Sequence, residues 1–173
     1  MRRILIDLDV LLDVLLERRQ FAEPAVALWA LVERRRVEGW MPAHGVTTIF
    51  YLVAKARDRE TARRVVGDLL SVFRVAPIDE AILRRAVTLD LADFEDAVSA
   101  ACAEAVGCEA IVTRDGRGFA RSPVPAIEPL VALATIDAEG RLEPGDEGDE
   151  VHESRAAYGR AVASPSTSHA RRT

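Results

Sequence analysis

Short apolar runs alternate with helical stripes from residue 4 to about residue 134, and this alternation constrains the fold more than any other feature. Ile4-Leu5-Ile6, bounded by Arg3 and Asp7, reads as a buried first strand. Val10 to Leu16 is too apolar for a loop and begins the next helix. Pro24 suits the first turn of a helix whose stripe (Val26, Trp29, Ala30, Val32) ends in Glu33-Arg34-Arg35-Arg36. Trp40 and Met41 predict a second strand, closed by Pro42. Helices follow over about 45–57 and 60–72, then a strand over 73–76, then a helix capped by Asp79. The clearest helix carries Phe94, Ala97, Val98, Ala101, Cys102, Ala105 and Val106 at i, i+3, i+4 spacing and stops at Gly107. Ala110 to Val112 is a buried strand leading into Thr113-Arg114-Asp115-Gly116, and a last strand and short helix occupy about 124–134. Strands that alternate with helices form a parallel sheet with helices on both faces.

The 173 residues fit one domain and a tail, and 49% hydrophobic residues supply its core. The composition shifts at Asp137 to an acidic, then Ser/Pro/Thr/Arg-rich stretch, so the expected division is a domain over 1–136 and a disordered tail over 137–173. A net charge of −5 argues against broad electrostatic coating of nucleic acid but leaves room for one local patch. Cys102 and Cys108 have neither zinc spacing nor a disulfide framework, which points to a reduced, cytoplasmic setting. No apolar run approaches the roughly 20 residues of a membrane span, and the opening Met-Arg-Arg-Ile-Leu-Ile-Asp is not a signal peptide.

Ligands of a parallel sheet bind beyond the carboxyl ends of its strands. Asp7 follows the first strand, Asp115 follows the strand at 110–112, and Asp93, Glu95 and Asp96 open the clearest helix. Acids converging from three distant segments repel one another unless a cation neutralises them. Mg²⁺ is the natural cation, being hard and oxygen-seeking, and such a site could activate water at a phosphodiester. Simpler roles compete: Asp7 as an end-of-strand turn residue, Asp93 as a helix cap, Asp115-Gly116 as a turn pair. Asp96 is the more telling acid, because the row behind it continues as Ala100 and Ala103 rather than as charged residues. That helix is therefore expected to be buried on two sides, with Asp96 in a cleft.

These residues resemble the PIN-domain family. Ile4-Leu5-Ile6-Asp7-Leu8-Asp9-Val10-Leu11-Leu12-Asp13 is similar to its opening, Asp93-Phe94-Glu95-Asp96-Ala97 to its central acidic helix start, and Ile111-Val112-Thr113-Arg114-Asp115, followed by Phe119, to its late strand motif. The resemblance covers roughly residues 1–134. It implies a three-layer α/β/α sandwich with a short central parallel sheet, a Mg²⁺ or Mn²⁺ site, and cleavage of single-stranded RNA. Small bacterial members include VapC-like toxins of toxin–antitoxin pairs, so it also implies an antitoxin partner and a homodimer. Carried over residue by residue, Asp7, Asp96 and Asp115 are the expected metal ligands, Asp93 and Asp9 outer members, and Thr48, Thr113 and Arg114 supporting residues. Two positions depart from the pattern: Asp9 stands where the family has Asn, and Thr48 where it has Glu, which puts a second metal and full activity in question.

Other features have plain readings. Arg34-Arg35-Arg36 and Arg63-Arg64 read as solvated helix faces, His44 as neither ligand nor base, and Trp29, Trp40 and Tyr51 as core or dimer packing. Two rival functions remain. Asp7-Leu8-Asp9 after a strand is also similar to haloacid-dehalogenase-type phosphatases, although the only lysine, Lys55, offers no convincing partner. With Thr48 in place of Glu, a degenerate RNA- or protein-binding module is the other.

Overall fold

The computed structural model describes residues 2–140. Five strands, β1 (Arg3–Ile6), β2 (Glu38–Pro42), β3 (Arg74–Ala76), β4 (Ala110–Val112) and β5 (Ala126–Ile127), form one parallel sheet in the order β3-β2-β1-β4-β5. Seven helices among the described residues connect and flank them: α1 (Leu8–Leu15), α2 (Ala22–Glu33), α3 (Ala43–Ala56), α4 (Arg59–Val72), α5 (Glu80–Thr88), α6 (Phe94–Ala105) and α7 (Pro129–Gly140). The expected α/β architecture, helix layers around a short parallel sheet, is the one observed.

Side-chain alternation along β1 divides the core. Ile4 and Ile6 join the apolar cluster shared with α1, α2, α3, α4 and α7, whereas Leu5 joins the cluster built on α5 and α6. Both faces are buried, so the central strands read as continuous apolar runs rather than as alternating ones. β2 comes close enough to α2 that a Cβ on Gly39 would lie 2.7 Å from Val32 Cγ1 and 2.9 Å from Phe73 Cδ1. Trp29 meets Phe73 edge to face at 4.8 Å, so it is a core residue. Tyr51, by contrast, is exposed.

Helix α6 is buried along both faces, as its alanine row predicted: Ala97 to Ala103 are all buried. Its first residue, Phe94, departs from the expected stripe and stands 53% exposed. The helix closes with Gly107 at φ +70°, where Cys108 N–H donates to the Ala103 carbonyl and Gly107 N–H to the Glu104 carbonyl. Helix α7 runs to Gly140, beyond the boundary expected at 136, because Ala132 and Ile136 pack one helical turn apart into the main core. The rest of the expected tail, 141–173, lies outside the described residues.

Candidate active site

The strand order reverses direction at β1, whose neighbours are β2 on one side and β4 on the other. Successive connections therefore diverge there, leaving a crevice outside the carboxyl ends of β1 and β4. Asp7 and the Thr113–Asp115 segment occupy those ends. Asp7 N–H extends the ladder to the Val112 carbonyl at 3.0 Å, and Thr113 N–H reaches the Ile127 carbonyl at 3.0 Å.

Asp7 is held from both sides. Its Oδ1 accepts Leu8 N–H at 2.8 Å, capping α1 immediately after β1 ends. Its Oδ2 accepts the hydroxyl of the fully buried Thr113 at 2.7 Å, and that hydroxyl in turn accepts Asp115 N–H at 3.0 Å. Thr113 thus ties the two strand-end acids into one chain of hydrogen bonds. Asp115 Oδ1 accepts Gly118 N–H at 3.0 Å. Asp96, in the first turn of α6, comes in from the other side: a Cβ on Gly118 would lie 2.6 Å from Asp96 Oδ2 and 2.9 Å from Asp115 Oδ2. Only a glycine leaves room for both oxygens at that point.

The electrostatics follow from this crowding. Asp96 is pushed up to about 6 by burial first, and then by the charges of Asp93, Asp115, Glu95 and Asp9. Asp7 is raised by burial and by Asp96, against the opposing effect of its Thr113 and Leu8 hydrogen bonds. Asp93 caps α6 through Glu95 N–H at 2.7 Å. The structure thus brings Asp7, Asp96 and Asp115 into one electrostatic neighbourhood and sets Asp93 at its rim.

Asp9 is drawn the other way. It lies 3.1 Å from Arg114 Nε, which is also 2.8 Å from Asp13 Oδ2. These contacts are ionic rather than well-aligned hydrogen bonds, since Arg114 Nε has no hydrogen-bond partner of good geometry. The Arg114 guanidinium stacks 4.2 Å above the Phe21 ring, and Arg18 approaches Asp13 at 3.5 Å. Asp13 is only 1% exposed. Its part in holding Arg114 went unread in the sequence; the signal was an acid on the buried side of an apolar run. Asp9 is raised to about 6 by burial and by Asp7, with Arg114 lowering it. Thr48 donates its hydroxyl proton to the His44 carbonyl at 3.2 Å within its own helix, leaving the oxygen able only to accept. His44 Nε2 lies 3.2 Å from Glu95 Oε1, and burial lowers the imidazole.

The donor set suits a hard divalent cation: carboxylate oxygens from separate segments, crowded together and raised by burial and mutual repulsion. It is not a preformed cage. Among the described residues no three His, Cys, Asp or Glu side chains are gathered closely enough to enclose a metal ion. An ion held by one or two carboxylates and completed by water and phosphate is what this arrangement fits.

The family model described as PIN domain matches residues 3–117. Among solved structures, FitAB bound to the IR36 DNA fragment is similar at 25% identity and TM-score 0.57, over 73% of this chain and 94% of that one. DNA-bound VapBC from Salmonella typhimurium is similar at 16% identity and TM-score 0.59, over 75% and 99% of the two chains. Mycobacterium tuberculosis VapC20, a sarcin-ricin loop cleaving toxin, is similar at 20% identity and TM-score 0.55, over 68% and 93%. At these last two identities the likeness concerns the fold. No curated protein sequence matches the chain.

Proposed function

Because the chain belongs to the PIN-domain family, whose nucleases typically use divalent metal ions, we propose that it is a Mg²⁺- or Mn²⁺-dependent endoribonuclease acting on single-stranded RNA, and the toxin of a toxin–antitoxin pair. The observation that supports this reading is that Asp7, Asp96 and Asp115 lie within electrostatic reach of one another outside the carboxyl ends of β1 and β4, with Asp96 lifted by burial and then by its acidic neighbours. In this reading Asp96 and Asp115 hold the ion, Asp7 completes its shell directly or through water, and Asp93 is an outer member. The bound cation supplies activation of water and relief of charge on the phosphate. Thr113 fixes the spacing of Asp7 and Asp115 through one hydroxyl. In this reading Arg114 steadies the Asp9/Asp13 side, and Asp9 stays an outer member beyond the ion's direct shell.

An antitoxin that blocks the crevice, a homodimeric assembly and a cytoplasmic location complete the reading. No helix among the described residues is long and apolar enough to cross a membrane, which is consistent with it. One observation favours the second reading, a catalytically degenerate binding module: Thr48 adds no charge to the site, and its one hydroxyl proton already goes to the His44 carbonyl. Cleavage of a mixed single-stranded RNA pool with Mg²⁺, with Mn²⁺ and with chelator, beside Asp7→Asn and Asp96→Asn, separates the two. Metal-dependent cutting lost in both variants is expected. RNA binding by the folded protein without any cutting identifies the degenerate module.

A further inference from the structure

A second feature lies against the acids and plays no part in the scheme above. The loop at 90–92 and the turn at 117–121 enclose a hollow of about 290 Å³. Its apolar walls are Leu91, Ala92 and Ala120, and its charges are Asp90, Arg117 and Arg121. Gly118 belongs both to this hollow and to the acidic crevice, since the Asp96 and Asp115 oxygens approach the place its Cβ would fill. The hollow therefore adjoins the carboxylates through Gly118.

The arginines along this edge are not equivalent. Arg114 is held by Asp9 and Asp13, and Arg121 is ion-paired to Asp90. Arg117 is exposed, lines the hollow and has no ion pair among the described residues. A polyanion approaching a chain of net charge −5 through a cluster of carboxylates meets repulsion, and a nearby uncommitted cation offsets it. An apolar wall for a base or ribose face beside one free guanidinium for a phosphate matches a nucleotide unit.

We propose that this hollow is the subsite for the nucleotide next to the scissile phosphate of single-stranded RNA, with Arg117 holding its phosphate. The proposal rests on the ribonuclease reading for the identity of the scissile bond, but its binding test does not. Gly118 is shared by the hollow and the acidic crevice, so a nucleotide seated in the hollow lies next to the carboxylates. The pairing of Arg121 with Asp90 keeps the far wall in place, so one cation faces the RNA.

The test uses the full chain and a fluorescent single-stranded RNA oligomer of mixed sequence, followed by anisotropy in chelator so that nothing is cut. Arg117→Ala is expected to weaken binding about tenfold and to lower the slope of log affinity against log salt by about 0.7, the loss of one single-strand phosphate contact. Arg117→Lys is expected to retain most of the affinity. Ala120→Trp, which fills the hollow, is expected to weaken binding while keeping the net charge. Arg63→Ala, an exposed arginine on α4 in the opposite helix layer, sets the baseline for losing any positive charge. In metal, Arg117→Ala is expected to raise KM with little change in kcat. Equal effects of Arg117→Ala and Arg63→Ala overturn the proposal even if the protein cuts RNA, as does wild-type protein that binds no RNA. Arg117-dependent binding without metal-dependent cutting supports the subsite while removing the nuclease reading.

Discussion

Asp7 stands between two acidic neighbourhoods that solve the same problem in opposite ways. On the α1 side, Asp9 and Asp13 share Arg114, whose guanidinium is stacked on Phe21. Asp13 is almost completely buried, and although burial raises its carboxyl, Arg114 and Arg18 answer part of that cost within the fold. On the α6 side, Asp96 and Asp115 face a common point beside Gly118, and the nearest charges to Asp96 are further acids. Carboxylates answered by an internal cation belong to the scaffold, whereas carboxylates turned on one another mark where a cation from solution is wanted. Both sets lie at the same end of the sheet, so proximity to the crevice does not by itself make an acid functional.

The sharpest way to break this comparison is to remove one acid from each side. Asp96→Asn is expected to lower metal-dependent cleavage by on the order of 100-fold or more, a loss typical of damaged metal sites. The same variant should unfold no earlier than wild type in chelator, because it relieves repulsion. Asp13→Ala is expected to do the reverse. It leaves Arg114 with Asp9 alone and empties a fully buried position, which should cost about 3 kcal/mol, seen as a fall in Tm of roughly 10 °C. Thermal melts and cleavage assays on the two proteins check both halves. A stable Asp13→Ala protein, or a destabilised Asp96→Asn protein, would erase the distinction.

A smaller effect sharpens the α6 side alone. Gly118→Ala places a Cβ where Asp96 Oδ2 and Asp115 Oδ2 now approach, so the carboxylates must part. Cleavage is expected to fall about tenfold, while stability changes by less than about 2 kcal/mol. Isothermal titration with Mn²⁺ should show the weakened ion binding directly. Unchanged Mn²⁺ affinity in this variant would mean that the ion does not sit between those two oxygens.

Much of this was legible in the sequence, and the reasons are physical. Apolar period and length marked β1, β4 and α6, and the Ala100/Ala103 row correctly placed Asp96 on a helix buried on two sides. That Asp7, Asp96 and Asp115 share one edge of the sheet could be expected from strand ends and helix starts, because topology alone brings those segments there. The split between paired and unpaired acids could not. Asp9 and Asp13 are two more acids in the same opening segment, and their fate depends on where Arg114, a hundred residues later, directs its guanidinium. Gly118 was silent for the same reason: its importance lies in a side chain it lacks, measured against oxygens from two other segments. The end of α7 was misjudged because the acidic composition beyond Asp137 masked a helix held by Ala132 and Ile136.

The smallest expected effect is a pH dependence that separates the two sides in metal-free protein. Asp96 rises from its ordinary 3.8 to about 6 on folding, mainly through burial and then through its acidic neighbours. A carboxyl raised in the folded state contributes stability that is fully present below its unfolded value and is lost as pH rises through its folded one. Wild-type protein in chelator should therefore lose stability from this group between about pH 4 and about pH 6. His44 works in the opposite direction, because burial lowers it and acid favours the unfolded chain that can protonate it. Asp9 is also raised to about 6 and adds to the trend. Comparing wild type with Asp96→Asn cancels most of the His44 and Asp9 contributions. The variant should be the more stable protein at the upper end of that window, with the gap closing toward the lower end. Added Mg²⁺ should close it from the other direction, since an ion that binds only folded wild-type protein stabilises it by mass action. A gap that ignores both pH and Mg²⁺ would show that Asp96 carries no unanswered charge, leaving it as much a scaffold residue as Asp13.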